Sequence, residues 1–143
     1  MKDKGAKYGG CLYFASNALA RNMTRLAEEA YAPTGLAPSH AMLLMTIIDS
    51  PGINPTDAAE IMQLNPSTVT RFVEKLESKG LVNRQTQGKF TELYATDEGN
   101  AMNMRIKAAW MSLYAKYIAI VGEEQACSLA SLAFKTAKKL EEA

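Results

Sequence analysis

The sequence is poor in most residues that carry chemistry. Its 143 residues include two cysteines, one histidine and one tryptophan. Two cysteines build no disulfide framework, and the first residues show no signal-peptide pattern, so a reducing cytoplasm is the expected compartment. His40 stands away from any Cys/His/Asp cluster at metal-ligand spacing, so neither a metal nor a cofactor is expected. A glycine-rich phosphate loop and a Gly-x-Ser-x-Gly elbow are both missing, and no catalytic residues are expected. No apolar run approaches the roughly 18 residues of a membrane span. Charge of neither sign prevails, since 16 Lys+Arg face 15 Asp+Glu. With 48% apolar residues the chain still has the makings of a folded domain rather than a disordered one. Its length suits one compact domain, or one domain with an appended interface.

The balanced total hides an uneven distribution. Residues 1–32 carry five basic and three acidic side chains. Residues 33–64 carry no Lys or Arg and three acids, Asp49, Asp57 and Glu60. Residues 65–96 again carry five basic side chains (Arg71, Lys75, Lys79, Arg84, Lys89) against three acids, and residues 97–143 balance six against six. A basic cluster of this size fits a solvated surface as well as a polyanion site, because nucleic-acid surfaces normally show a larger excess.

Apolar periodicity predicts a mainly helical chain. Tyr8, Leu12, Ala15, Leu19, Met23 and Leu26 recur at helical spacing and predict a helix over 7–32, ended by Pro33 and Gly35. A second helix is predicted over 38–50, with Pro38 in its first turn and Ala41, Leu44, Met45 and Ile48 on its apolar face. After Pro51-Gly52, a short helix over 55–62 packs through Ala58, Ala59, Ile61 and Met62. Asn65 and Pro66 then form a good cap and first helical residue for a helix to about Lys79, stopped by Gly80. Leu81–Arg84, a turn at Gln87-Gly88-Lys89, and Thr91–Ala95 predict a β-hairpin. Thr96 caps a long helix over about 97–120, Gly122 breaks it, and a last helix begins near Glu123.

The 65–79 helix has two unlike faces. On a helical wheel Val69, Phe72, Val73 and Leu76 gather on one side, and Ser67, Thr70, Arg71, Glu74 and Ser78 on the other. The apolar side must be buried. The outward side begins with hydroxyls and one guanidinium and has little bulk. Small hydroxyls allow close approach to phosphates or base edges, and Arg forks onto guanine O6 and N7. An amphipathic surface helix has the same pattern, so the neighbours decide. A short helix, a three-residue turn, a capped helix, a glycine stop and a hairpin follow one another in the order of a winged helix-turn-helix.

Here the sequence resembles the MarR family of bacterial transcription regulators. Pro66-Ser67-Thr68-Val69-Thr70-Arg71-Phe72-Val73-Glu74-Lys75-Leu76-Glu77-Ser78-Lys79-Gly80-Leu81-Val82-Asn83-Arg84 is similar to the family's recognition helix and first wing strand. Thr96-Asp97-Glu98-Gly99 resembles the Thr-x-x-Gly that opens its long helix, and Gly35-Leu36-Ala37-Pro38-Ser39 the entry to its second helix. The order of elements agrees over nearly the whole chain. One departure is the wing. The family usually carries Asp-x-Arg-Arg there, whereas this chain has the shorter Gln85-Thr86-Gln87-Gly88-Lys89-Phe90. Lys89 lacks the planar fork of Arg, so weaker or less base-selective wing contacts are expected. Glu74 sets a carboxylate on the outward face, toward its later half.

The resemblance implies a mainly α fold with a small β wing. Residues 33–96 would form the winged helix-turn-helix, and residues 1–32 and 97–143 a helical dimerisation region. It implies a homodimer reading a pseudo-palindromic operator in duplex DNA, its recognition helices roughly 34–36 Å apart. Ser67, Thr68, Thr70, Arg71, Lys75, Arg84 and Lys89 are then the candidate DNA-contacting residues. The protein would be a regulator, expected to repress until released by a small, often aromatic, effector or by an oxidant, at the nucleoid of a bacterial cytoplasm. Tyr8, Tyr13, Tyr31, His40 and Trp110 are candidates for an effector pocket, and equally for ordinary core and interface positions. Cys11 is a candidate redox thiol, because the organic-hydroperoxide branch of the family carries its reactive cysteine in a similar place; a small buried hydrophobe is the other reading. The alternative for the whole chain is a winged-helix protein-interaction module that does not bind DNA.

Overall fold

The structure, a computed structural model, describes residues 4–143. A 3₁₀ turn at Lys4–Tyr8 precedes helix α1, Leu12–Tyr31. Helices α2 (Pro38–Asp49), α3 (Pro55–Met62) and α4 (Pro66–Ser78) follow, then strands β1 (Val82–Gln87) and β2 (Phe90–Ala95). The chain continues in α5 (Asp97–Ala101), α6 (Asn103–Val121) and α7 (Glu123–Glu141). The helical fold with one small antiparallel hairpin is the expected one.

Two differences from the sequence reading have local causes. The first helix starts at Leu12 rather than Lys7, because the Gly9-Gly10 pair carries a large entropic cost in a helix and forms a turn instead. The predicted 97–120 helix is broken at Met102, whose N–H bonds the Gly99 carbonyl three residues back at 3.1 Å, a tightened turn just past a helical glycine. The hairpin also extends further than predicted. Strand β1 reaches Gln87, and only Gly88 and Lys89 remain as the turn.

Contacts divide the chain into two compact units. One comprises residues up to Leu26 together with Met111–Ala143, the other Ala27–Trp110. In the first, Ala126 is buried on α7, while Leu12, Tyr13, Met111, Ile120, Leu132, Phe134 and Leu140 are exposed. The second holds most of the buried residues. Leu43, Leu44 and Ile47 of α2, Ala58 and Ala59 of α3, Val69, Val73 and Leu76 of α4, and Leu93 of β2 form its core with Ile106. The small Ala58 and Ala59 let α3 and α4 approach closely. Ile61 is an exception to the predicted α3 face, since it is exposed.

Three devices fix this unit. Buried Thr34 ties the exit of α1 to the entry of α2. Its Oγ1 donates to the Tyr31 carbonyl at 2.6 Å and accepts the Leu36 N–H at 3.0 Å. The segment after α2 adds a bridge to the hairpin, where Gly52 donates to the Leu93 carbonyl (2.8 Å) and Leu93 to that of Ile53 (2.9 Å). Gly52 has φ +87° with the Tyr94 ring alongside, which explains a glycine there. The third device is a clamp on the far end of α4. Thr96 Oγ1 accepts the Gly99 N–H at 3.0 Å and donates to the Gly80 carbonyl at 2.7 Å, and its own N–H bonds the Leu81 carbonyl at 3.0 Å. Gly99 lies so near Leu81 that a Cβ there would overlap the Leu81 carbonyl oxygen.

The Thr-x-x-Gly motif is therefore a structural latch between the exit of α4 and the helix after the wing. Thr96→Val and Gly99→Ala are each expected to destabilise by about 1–3 kcal/mol. Thermal unfolding followed by circular dichroism checks this, and wild-type melting of both variants would rule the latch out.

Candidate nucleic-acid interface

Helix α4 is aimed by its cap. Asn65, extended at φ −66° and ψ 139°, accepts the Ser67 N–H through Oδ1 at 2.9 Å, and the Ser67 hydroxyl donates to the same oxygen at 2.8 Å. The turn before it bends sharply at Gln63, which adopts φ +53° while its Nε2 donates to the Glu60 carbonyl at 2.7 Å. A side chain in this left-handed region usually costs about 1 kcal/mol or more, offset here by that local bond.

Burial divides α4 as the wheel predicted. Val69, Val73 and Leu76 are buried, and Phe72 is half-buried. Ser67, Thr70, Arg71, Glu74, Lys75 and Ser78 are exposed, with Thr68 half-buried at the edge. The hydroxyl protons at the head are already engaged. Ser67 donates to Asn65, and Thr70 to the Pro66 carbonyl at 3.1 Å. Toward an outside partner both therefore act as acceptors, which suits the amino groups of adenine or cytosine better than phosphate oxygens. Arg71 supplies the donors. Its Nη2 reaches Thr68 Oγ1 at 3.4 Å, a long contact that leaves most of the guanidinium facing solvent.

The candidate residues on the wing do not act alike. Arg84 Nε lies 2.7 Å from Glu77 Oε1. Arg84 thereby braces β1 against α4, and its charge is largely answered within the protein. Sequence spacing gave no sign of this pair, because Glu77 and Arg84 lie on different elements separated by the glycine stop. Lys89 occupies the two-residue turn, exposed at the tip of the hairpin.

His40 sits on α2 behind the recognition face. Its ring meets the Phe72 ring edge-on, with centroids 4.4 Å apart. Partial burial pushes its pKa below the ordinary value, and the positive charges of Lys75 and Lys79 push it further down. His40 is thus a packing partner of α4, whatever else it touches. Tyr31, within the same Ala27–Trp110 unit, is only 1% exposed, and its hydroxyl has no hydrogen-bond partner among the described residues. The Asn103 side-chain oxygen of that unit is likewise buried and unpartnered. Trp110 is half exposed.

Tyr8 and Tyr13 belong to the other unit and are exposed; the Tyr8 ring packs on Phe14 with centroids 5.6 Å apart. Cys11 is an exposed free thiol at the cap position of α1, its carbonyl accepting the Ala15 N–H at 2.9 Å. Within the single chain Cys11 is exposed, at the helix entry after the Gly9-Gly10 turn. Among the described residues no group of three or more His, Cys, Asp or Glu converges as a metal site, and no helix is long and apolar enough to cross a membrane.

A capped two-faced helix, preceded by a short helix and a tight turn and followed by a latched hairpin, defines a winged helix-turn-helix protein. Residues 36–87 match the sequence model of the MarR family. The HTH-type transcriptional repressor MdtR of Bacillus subtilis (strain 168) is 27% identical over 116 residues, covering 79% of this chain and 75% of the relative. Among solved structures, the transcriptional repressor CouR bound to a 23-mer DNA duplex superposes with a TM-score of 0.82 at 20% identity, covering 96% of this chain and 99% of that one. CouR from Rhodococcus jostii RHA1 bound to p-coumaroyl-CoA gives 0.76 at 22% identity, covering 90% and 93%. These structures share the fold.

The packing of His40 on α4 has a measurable consequence. Because the folded-state pKa of His40 is lowered, the unfolded chain binds a proton first as pH falls below about 6.5. Stability contributed by neutral His40 is therefore present above that pH and lost as pH falls toward the lower folded value. Urea unfolding between pH 5 and pH 7.5 is expected to show declining stability at the acid end, with a shallower decline in His40→Gln. Equal slopes for the two proteins would remove His40 from the pH response.

Proposed function

We propose that this chain is a homodimeric, sequence-specific DNA-binding transcription regulator of the MarR type, a repressor released by a small-molecule or oxidative signal. The observation that carries the reading is the outward face of α4. Burial of its opposite side leaves Ser67, Thr70 and Arg71 at the front of a capped helix, in the order a major groove accommodates. Ser67, Thr68, Thr70 and Arg71 are assigned to the groove, Lys75 and Lys89 to phosphates, and Arg84 to the wing's bracing and its neighbouring phosphate. MdtR is named a repressor, and CouR is solved both on DNA and with an aromatic acyl-CoA. These relatives support DNA as the partner and an aromatic effector as the class of signal.

The terminal helices support the dimer. In their unit Leu132 is 64% exposed, Phe134 56% and Leu140 64%, more apolar surface than a soluble monomer normally leaves in water. A second copy is the proposed cover, with residues 1–32 and 97–143 as the dimerisation region and 33–96 as the DNA-binding region. Tyr8, Tyr13, Tyr31, His40 and Trp110 remain the proposed effector contacts. Among them Tyr31 has the strongest support, since its buried hydroxyl lacks a partner. Cys11 is exposed as an oxidant-sensing thiol requires. The bacterial cytoplasm is the compartment this reading implies, and catalysis forms no part of it.

Leu132→Asp is expected to convert the dimer to monomer in sedimentation equilibrium; a monomeric wild type would remove the two-fold reading. Fluorescence anisotropy on duplexes from the DNA flanking the protein's own gene tests DNA binding itself. Specific, steeply salt-dependent binding is expected, and Arg71→Ala should weaken it by about 1–3 kcal/mol while lowering sequence preference. No preference for any duplex over scrambled DNA would favour an interaction module that does not read DNA. For the signal, Cys11→Ser should hold its DNA under organic hydroperoxide if the thiol is the sensor, and release with wild-type kinetics would eliminate it.

A further inference from the structure

The single histidine of the chain is packed on helix α4. His40 is the third residue of α2, in the turn whose free N–H groups make the positive end of that helix. Its ring meets that of Phe72 at an interplanar angle of 73°. Phe72, Lys75 and Lys79 follow one another at i, i+3 and i+7, along one ridge of α4 and its C-cap. The residue that His40 touches is thus succeeded by two exposed cations.

Among the described residues no carboxylate answers these cations at the imidazole. The one acid of α2, Asp49, lies at the far end of that helix. Asp57 and Glu60 of α3, Glu92 and Tyr94 of β2, and Asp97 and Glu98 of α5 belong to the other elements packed on α2, and none of them acts on His40. On α4 itself Glu77 is taken up by Arg84 at 2.7 Å, and Glu74 stands on the outward face with Arg71. Partial burial, Lys75 and Lys79 together hold the ring neutral. An anion seated on the Lys75–Lys79 edge cancels part of that positive field, and the ring then accepts a proton more readily.

We infer that His40 links DNA binding to proton uptake: phosphates along the Lys75–Lys79 edge draw a proton from solvent onto the imidazole, and acidification therefore tightens the complex. The inference deepens the DNA-binding reading above and rests on it. A group that holds its proton more tightly in the complex makes the complex tighter as protons are added. The gain begins as pH falls through the midpoint of the complex and levels off below the lower midpoint of the free protein. A separation of about one pH unit gives about tenfold per protomer. Folding stability runs the other way, because unfolding frees the ring from the lysines whereas DNA neutralises them in place.

With one histidine, the imidazole resonances are read by NMR without ambiguity. The probe is a duplex of about 30 base pairs selected by the wild-type protein from a randomised pool. The titration midpoint of His40 should rise when this duplex is added. Lys75→Gln/Lys79→Gln should raise the midpoint of the free protein with no DNA present. Fluorescence anisotropy at fixed salt should show wild-type binding several-fold tighter near pH 5.5 than near pH 8, and a flatter profile for His40→Gln. Circular dichroism at each pH checks that both proteins remain folded. A midpoint unmoved by the duplex or by the lysine substitutions, or equal pH profiles for wild type and His40→Gln, would overturn the proton link while leaving the DNA-binding reading intact. If the wild-type protein selects no duplex at all, that reading fails and the link with it.

Discussion

Burial of Val69, Val73 and Leu76 decides what this protein can present to a partner. Once these three side chains are driven against α2 and α3, the rotation of α4 about its axis is fixed and Arg71 must face outward. Everything nearby serves to hold that orientation. Asn65 fixes the entry, the left-handed Gln63 sets the angle from α3, and the Thr96–Gly99 latch holds the exit. A helix held only by its apolar stripe could slide along its axis. One capped and latched at both ends has a defined register, and base readout requires that.

The latch also explains how wing and helix keep a constant relation. Gly80 and Leu81 give their carbonyls to Thr96, while Glu77 of α4 grips Arg84 of β1. The hairpin is thus tied at its base by hydrogen bonds to backbone carbonyls and along its length by an ion pair. The ion pair is partly exposed, so its energetic contribution is small and its geometric role the more important one. Arg84 thereby commits much of its charge to bracing the wing.

Much of this was legible in the sequence. The helices announced themselves through period and caps, and Asn65-Pro66 marked the start of α4 to the residue. The two faces of α4 followed from spacing alone, since they depend only on helix geometry. Two of the helix boundaries that differ turn on glycine, whose local cost is visible but whose structural outcome is set by neighbours. Gly9-Gly10 delays α1, and Gly99 tightens the turn at Met102 because it must pass the Leu81 carbonyl. The contacts that no spacing could reveal join distant elements: Glu77 with Arg84 across the glycine stop, His40 with Phe72 across two helices. The engagement of the Ser67 and Thr70 protons was hidden for a different reason. Hydroxyls at a helix head read as open donors until the cap geometry shows where their hydrogens go.

The near-neutral total, which left a solvated surface and a polyanion site both open in the sequence, hides a local arrangement of charge. The three acids of residues 33–64 lie on α2 and α3, while α4 and its C-cap carry Arg71, Lys75 and Lys79 against Glu74 and Glu77, the latter paired with Arg84. Screening limits the reach of exposed charges to about 10 Å at ordinary salt, so a ligand against α4 responds to that helix more than to the chain's total. A surface with few cations gains less from counterion release and must draw more of its affinity from close apolar and hydrogen-bonded fit.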